Sequence, residues 1–327
     1  MTLTELRCLL AIVDAELNIS AAAQRVHSTQ PSLSRNLKQL EDELGFKLFT
    51  RHGRSLVDIT PAGRDVIRMA RRIVGEAANL RAYAANTRGE TSGDLTMATA
   101  QTYARHVLPP LLGQLVRRYP RLNIRIQGLG EGEPFERLSH NEVDIALVST
   151  AGNRVPDGIA LPLFTWRRAV LVERTHPLAQ LGRGPSLAEM AGHSLVTYTA
   201  SRRPESTLRR ALQQAGVEAR FACSAQDADL IKVYVRAGLG VGLVADLAIE
   251  PCDREEFAVL PADPALPACI AWALLPSGRV VRDYTMDFIH LLAPQIDTCD
   301  IRRVLAGNAA PAWPPPPEWT GERVLAA

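Results

Sequence analysis

"STQPSLSRNLKQLEDELGFKLF", residues 28–49, decides how the amino-terminal part of this chain folds. Ser28 and Thr29 can cap a helix through a hydroxyl, and Pro31 suits a first helical turn, where its missing N–H would have no partner. The pattern predicts a helix that starts near Gln30 or Pro31 and ends at Gly45. Leu33, Leu37, Leu40 and Leu44 recur at steps of four, three and four, which at about 100° per residue gives one narrow apolar stripe. That stripe is read as core. Pro31, Arg35, Lys38 and Asp42 fall on the opposite side, flanked by Ser32, Ser34 and Gln39. Glu41 to Glu43 lie at the far end, where they oppose the helix dipole and are expected to face away from phosphate.

Context turns an amphipathic helix into a reading head. Upstream, "LRCLLAIVDAE" places Leu6, Leu9, Leu10 and Val13 at helical spacing, and after Asn18 the alanine-rich "SAAAQRVH" makes a short second helix that a third can cross closely. Three short helices with a tight turn before the third form the helix-turn-helix pattern, whose later helix enters the major groove by its N-terminus. Downstream, "FKLFTRHGRSLVDIT" has two apolar runs around His52, Gly53 and Arg54, and reads as a wing carrying Arg51 and Arg54. From Arg25 to Arg72 there are ten basic and five acidic residues, an excess of five in a chain whose formal net charge is +2. Neutralised phosphates supply much of the affinity for DNA, so this local excess points to a nucleic-acid partner.

With 327 residues and 46% hydrophobic composition, the chain can build two or three globular units. It has no apolar run of membrane-spanning length and opens into a helix rather than a signal peptide, so a cytoplasmic protein is expected, with no membrane partner. The five cysteines are widely spaced with no C-x-x-C pair, and the seven histidines show no ligand spacing. No metal, no cofactor and no disulfide framework is expected.

Thr60 and Pro61 start a further helix, "AGRDVIRMARRIVGEAANLRAYAAN", uninterrupted to about Asn86, whose apolar positions step by three and four. Its natural use is to pair two subunits, giving the symmetric reader that a palindromic site requires. "TRGETSGD", residues 87–94, is a polar hinge. Beyond it, strands such as "LTMATA", "LNIRIQGLG" and "DIALVST" alternate with helices, then a second such set follows, which implies a parallel α/β region in two lobes with a ligand cleft between them. The expected division is a winged helix-turn-helix over 1–60, a linker helix over 61–88 and an effector domain over 89–300. Within that domain lobe I takes about 89–163 and 268–300, and lobe II about 164–267. The tail 301–327, with four consecutive prolines, reads as extended, solvated and mobile.

With these parts assembled, the chain resembles the LysR-type transcriptional regulators. "SAAAQRVHSTQPSLSRNLKQLEDELGFKLFTR" and "TPAG" carry that resemblance, and "ARHVLPPLLGQLVRRYPRLNI", "WRRAVLV", "SLVTYT" and "DADLIKVYVRAGLGVGL" direct it to the CysB-like subgroup of cysteine and organosulfur regulators. The resemblance implies a winged helix-turn-helix followed by a two-lobed, periplasmic-binding-protein-like effector domain. It also implies a homotetramer that binds a promoter dyad of double-stranded DNA, works with RNA polymerase, and holds a small inducer such as sulfate, an acylserine or another sulfur compound. It assigns DNA contacts to Gln30, Pro31, Ser34, Arg35 and Arg54, and the outward face of the helix and the wing add Ser32, Lys38 and Arg51. It places Ala100, Thr102, Tyr103, Ser149, Trp166, Thr199 and Arg203 around the inducer, where neutral donors suit an anion. Ala100 and Tyr103 depart from the subgroup's threonine and glutamine, Ser149 replaces a threonine, and "SRRPES", residues 201–206, replaces the subgroup's glycine- and threonine-containing loop with one that carries Arg202 and Arg203.

Rival readings are weaker. The runs "GLGEGE" and "GLGVGL" lack the G-x-G-x-x-G spacing and the distant acid of a dinucleotide site, and no G-x-S-x-G or Walker lysine occurs, so an enzyme is not expected. An exported solute-binding protein conflicts with the amino-terminal winged helix. Within the regulator class, the alternative is an inducer outside sulfur metabolism, such as an aromatic acid.

Overall fold

The computed structural model describes residues 1–53, 55–129, 133–139, 142–152 and 154–320. The chain divides into two units, Met1–Gly89 and Glu90–Ala327.

In the first unit, α1 (Leu3–Asp14), α2 (Ile19–Arg25) and α3 (Gln30–Leu44) precede the hairpin β1 (Phe49–His52) and β2 (Ser55–Ile59), and α4 (Pro61–Thr87) closes the unit. The caps are those the residue types predict. Asn18 accepts the Ala21 N–H at 3.1 Å and Thr29 that of Ser32 at 3.4 Å, while Gly45 ends α3 in the left-handed conformation at φ 79°. Leu33, Leu37 and Leu40 are fully buried with Leu6, Leu9 and Ile12 of α1 and Ala22 and Ala23 of α2. Thr60 anchors α4: its N–H donates to the Leu48 carbonyl at 3.0 Å and its hydroxyl accepts the Gly63 N–H at 2.9 Å. A Cβ on Gly63 would stand 2.2 Å from that carbonyl oxygen, so the close approach of α4 to the wing requires glycine there.

The second unit holds two sheets. The strands and helices of its first stretch are β3 (Gly93–Ala100), α5 (Gln101–His106), α6 (Leu108–Arg118), β4 (Leu122–Leu129), α7 (Glu133–Ser139), β5 (Ile145–Ala151) and β6 (Ile159–Trp166). There follow β7 (Arg168–Glu173), α8 (Leu187–Ala191), β8 (Leu195–Tyr198), α9 (Thr207–Gln214), β9 (Phe221–Ala225), α10 (Ala228–Arg236), β10 (Val241–Ala245), α11 (Pro251–Glu256) and β11 (Phe257–Pro261). The chain then returns through β12 (Cys269–Leu275), α12 (Asp283–Leu292) and α13 (Thr298–Leu305). Lobe I has strand order β4-β3-β5-β12-β6 and lobe II has β11-β7-β10-β8-β9. Strands β3, β4 and β5 run parallel, as do β8, β9 and β10, so their carboxyl ends, and the helix starts that follow them, gather along one edge of each sheet.

Three differences from the sequence reading have physical causes. The stretch 159–166 is a strand despite Pro162, because it is the outermost strand of its sheet, where a missing N–H is tolerated. Phe164 to Trp166 therefore belong to lobe I, and the first crossover is the single residue Arg167. The stretch "GRVVRDYTMDFIHLLAP", residues 278–294, predicts a last helix by its pattern, but the helix starts only at Asp283, since Gly278 at φ 69° turns the chain before it. Finally, the tail is not solvated throughout: Ile301 of α13 is fully buried in the lobe I core, Trp313 and Trp319 pack on that core, and Glu318 bridges to Thr165 of β6. Two tryptophans in a polar, proline-rich run supply the apolar area that docks it.

Candidate functional site

The first candidate surface lies on α3 and the wing. Gln30, Pro31, Ser32, Arg35 and Lys38 are exposed along one side of α3, and Ser34 is half-buried beside them. Among the described residues neither Arg35 nor Lys38 has an ion-pair partner, which leaves both charges available to an anion. Arg51 differs. Its guanidinium lies 3.7 Å from a carboxylate oxygen of Glu41, so part of its charge is engaged inside the domain. Arg54 lies outside the described residues.

Glu41 corrects the outward placement of the acidic trio. Its side chain is fully buried, accepts the Leu48 N–H at 2.9 Å and takes the Lys47 ammonium at 3.0 Å. Four residues after Leu37, it lies only about 40° from that leucine on the helical wheel. That proximity to the apolar stripe was the available signal. Asp42 and Glu43 are exposed, as their positions predict.

In the second unit the carboxyl ends of β3, β5, β6 and β8 bring most of the predicted inducer residues to the two lobes' facing edges. Ala100 ends β3 and precedes α5 without a side-chain cap. Tyr103, on α5, is buried; its hydroxyl is hydrogen-bonded to that of Ser149 and accepts the Trp166 indole N–H at 2.9 Å, while the same N–H lies 3.2 Å from Ser149 Oγ. The Tyr103 ring meets Phe164 edge-on at 5.9 Å. Burial pushes the Tyr103 phenol above its ordinary range, so it stays a neutral donor and acceptor. Tyr198, at the end of β8 in the other lobe, accepts the Ala245 N–H at 3.1 Å through its hydroxyl. Burial raises the Tyr198 phenol to about 12. Thr199 and Arg203 stand apart from these clusters: both are exposed around a short 3-10 turn, Thr199–Arg202.

Sequence reasoning missed several neighbours, because long-range pairing alone brings them here. A cavity of about 200 Å³ is bordered by Gln101, Thr102, Arg105 and His106 of α5 and by Asp227, Ala228 and Asp229 at the start of α10. Of the residues taken from the resemblance, only Thr102 borders it. Arg105 pairs with Asp229 across the lobes, and His106 sits between Asp229 at 3.7 Å and Glu250 at 3.3 Å. Behind them, buried Lys232 holds Asp253 at 2.7 Å and Asp229 at 3.2 Å. Arg168, at the start of β7, donates to Thr207 Oγ1 at 2.8 Å and to the Pro267 carbonyl at 3.2 Å, and so ties the two crossing segments together. Among the described residues no three histidine, cysteine or acidic side chains are grouped to hold a metal, and no helix is long and apolar enough to cross a membrane.

Comparison with known proteins places this geometry. Residues 3–64 match the family model described as "Bacterial regulatory helix-turn-helix protein, lysR family", and residues 88–296 match "LysR substrate binding domain". The chain is 33% identical over 296 residues to the HTH-type transcriptional regulator CysB of Haemophilus influenzae, covering 90% of this chain and 91% of that one. It is 32% identical over 304 residues to the HTH-type transcriptional regulator cbl of Escherichia coli, covering 93% and 96%. The solved cofactor-binding domain of the Cbl transcriptional regulator superposes with a TM-score of 0.59 at 31% identity, over 66% of this chain and 94% of that one. These relatives are transcriptional regulators, which bears out the expectation that the chain is not an enzyme. LysR regulators bind DNA through the first domain, take a small-molecule effector in the second, and oligomerise. The matches span both units, and the chain belongs to the LysR family of transcriptional regulators.

Proposed function

We propose that this regulator controls genes of sulfur assimilation and organosulfur use, as a cytoplasmic protein whose inducer is a small anionic or sulfur-bearing molecule held between the two lobes. The likeness to CysB and cbl along more than nine-tenths of the chain carries this reading. In it, Gln30, Pro31, Ser32, Ser34, Arg35 and Lys38 approach a promoter dyad, and the wing residues Arg51 and Arg54 meet the adjoining phosphates or minor groove. Helix α4 pairs two subunits through the side bearing Met69, Ile73, Leu80 and Tyr83, all exposed in the single chain. Pairs of such dimers make a tetramer that works with RNA polymerase.

Tyr103 supports a particular division of the cleft. Its hydroxyl occupies Ser149 and the Trp166 N–H, so these donors reach an inducer only by exchanging partners. Thr102 and the cavity beside it are then the nearer contact.

Calorimetry of the full chain with sulfate, thiosulfate, O-acetylserine, N-acetylserine and an aromatic carboxylate tests the reading, alongside gel shifts on a duplex from its own upstream region. Saturable heat with one of the first four, and altered mobility of the DNA complex in its presence, is the expected result. Binding of the aromatic carboxylate alone would remove the sulfur assignment and leave the DNA-binding role in place.

A further inference from the structure

The proline-rich terminus grips the polypeptide where it passes from lobe I to lobe II. The Thr165 N–H donates to the Pro317 carbonyl at 2.8 Å, and the Trp319 N–H donates to the Thr165 carbonyl at 2.8 Å, so Pro317 to Trp319 run along the outer edge of β6. The Trp319 ring lies on Phe164 with centroids 4.6 Å apart. Phe164 meets Tyr103, whose hydroxyl holds Ser149 and Trp166. An aromatic series thus leads from the carboxyl terminus to the lobe I wall of the cleft.

One residue on, Arg167 is held from both sides. Its guanidinium Nε donates to Glu318 at 3.3 Å. Its backbone N–H donates to an Asp246 carboxylate oxygen at 3.0 Å, and its carbonyl accepts the Asp246 N–H at 2.9 Å. Asp246 follows β10 of lobe II. A change in lobe orientation must be absorbed by backbone rotation in such crossing segments, and here the rotation would break contacts to lobe II, to the terminus, or to both. Composition suits the terminus to this task. Pro314 to Pro317 fix four φ angles and carry no N–H, so the strap is stiff before it docks and loses little entropy on docking.

We propose that residues 311–320 form a carboxyl-terminal clamp on the first crossover, with Trp319 and Glu318 as positioning residues that set both the Arg167 hinge and the lobe I wall of the cleft. Its bearing on inducer response rests on the cleft reading above; the mechanical coupling stands without it.

Hydrogen–deuterium exchange on the full-length protein, with no ligand present, tests the clamp and is independent of the inducer's identity. In Trp319→Ala, exchange is expected to rise roughly tenfold, the scale of a lost aromatic pair, in β6 and also in the peptides carrying Asp246 and Tyr103 to Val107. Trp319→Phe keeps an aromatic face and should return those peptides close to the parent rate. Glu318→Gln, an exposed and mild change, should raise exchange at Asp246 by about twofold to threefold. Two results would overturn the clamp: exchange at Asp246 and Tyr103 unchanged in both Trp319→Ala and Glu318→Gln, or a uniform rise over both lobes that Trp319→Phe does not reverse, which marks a merely stabilising tail.

Discussion

Glu41 and Leu48 are joined by a 2.9 Å hydrogen bond from backbone N–H to a fully buried carboxylate, so the last turn of α3 and the start of the wing move as one piece. Removing this acceptor strands a buried N–H and leaves Lys47 and Arg51 facing no anion. Glu41→Ala should therefore cost about 3 kcal/mol of stability, and Glu41→Gln, which keeps an acceptor, about 1–2 kcal/mol. Urea unfolding checks both values, and equal midpoints for parent and variants would refute the anchoring role.

Arg35 is exposed and unpaired on the same helix, which suits it to phosphate or guanine. Arg35→Ala should weaken operator binding about tenfold at low salt and make the dependence on salt shallower by about one counterion. Fluorescence anisotropy across a potassium chloride series measures both quantities. Unchanged binding would count against α3 as the reading helix.

Thr102 borders the cavity between α5 and the start of α10. Thr102→Ala should blunt the response to inducer while basal DNA affinity stays within about twofold, because Thr102 lies outside the DNA-binding unit. Gel shifts with and without the inducer found by calorimetry decide the matter; equal loss in both conditions would argue for a general folding defect.

His106 gives a pH signature. Burial, stronger than the pull of Asp229, holds its imidazole below the ordinary 6.5, so the unfolded chain takes up a proton first as pH falls. Its contribution to stability is whole above 6.5 and is lost as pH drops from there through the depressed folded value. Burial pushes Asp229 up, but Lys232 and Arg105 outweigh it and hold the carboxyl below 3.8, so its contribution is lost in a separate window below that value. Melting temperatures between pH 7 and pH 5 should fall less steeply for His106→Gln than for the parent protein, and identical slopes would show that His106 does not titrate in this range.

Local patterns determined much of this protein. The cap at Thr29, the stop at Gly45, the leucine stripe of α3 and the long α4 all follow from periodicity and backbone preference, which act within a few residues. The alternation of strands and helices likewise implies two α/β lobes without any long-range contact. Charge and position alone place Glu41 outward, whereas its burial depends on Leu48, Lys47 and Arg51 closing around it.

Tertiary structure alone decided the cleft and the terminus. Tyr103, Ser149 and Trp166 lie on separate elements, and the pairing of β5 and β6 on either side of β12 is what brings Ser149 and Trp166 to one hydroxyl. Four prolines in a row read as a free, extended tail because such a run cannot build a core. Its docking depends on the outer edge of β6 and the face of Phe164 that Trp319 covers, which exist only once distant strands have paired. Hydrogen bonds between residues from 46 positions apart, as for Tyr103 and Ser149, to 152 apart, as for Thr165 and Pro317, leave no period or motif in the chain, so only the folded molecule displays them.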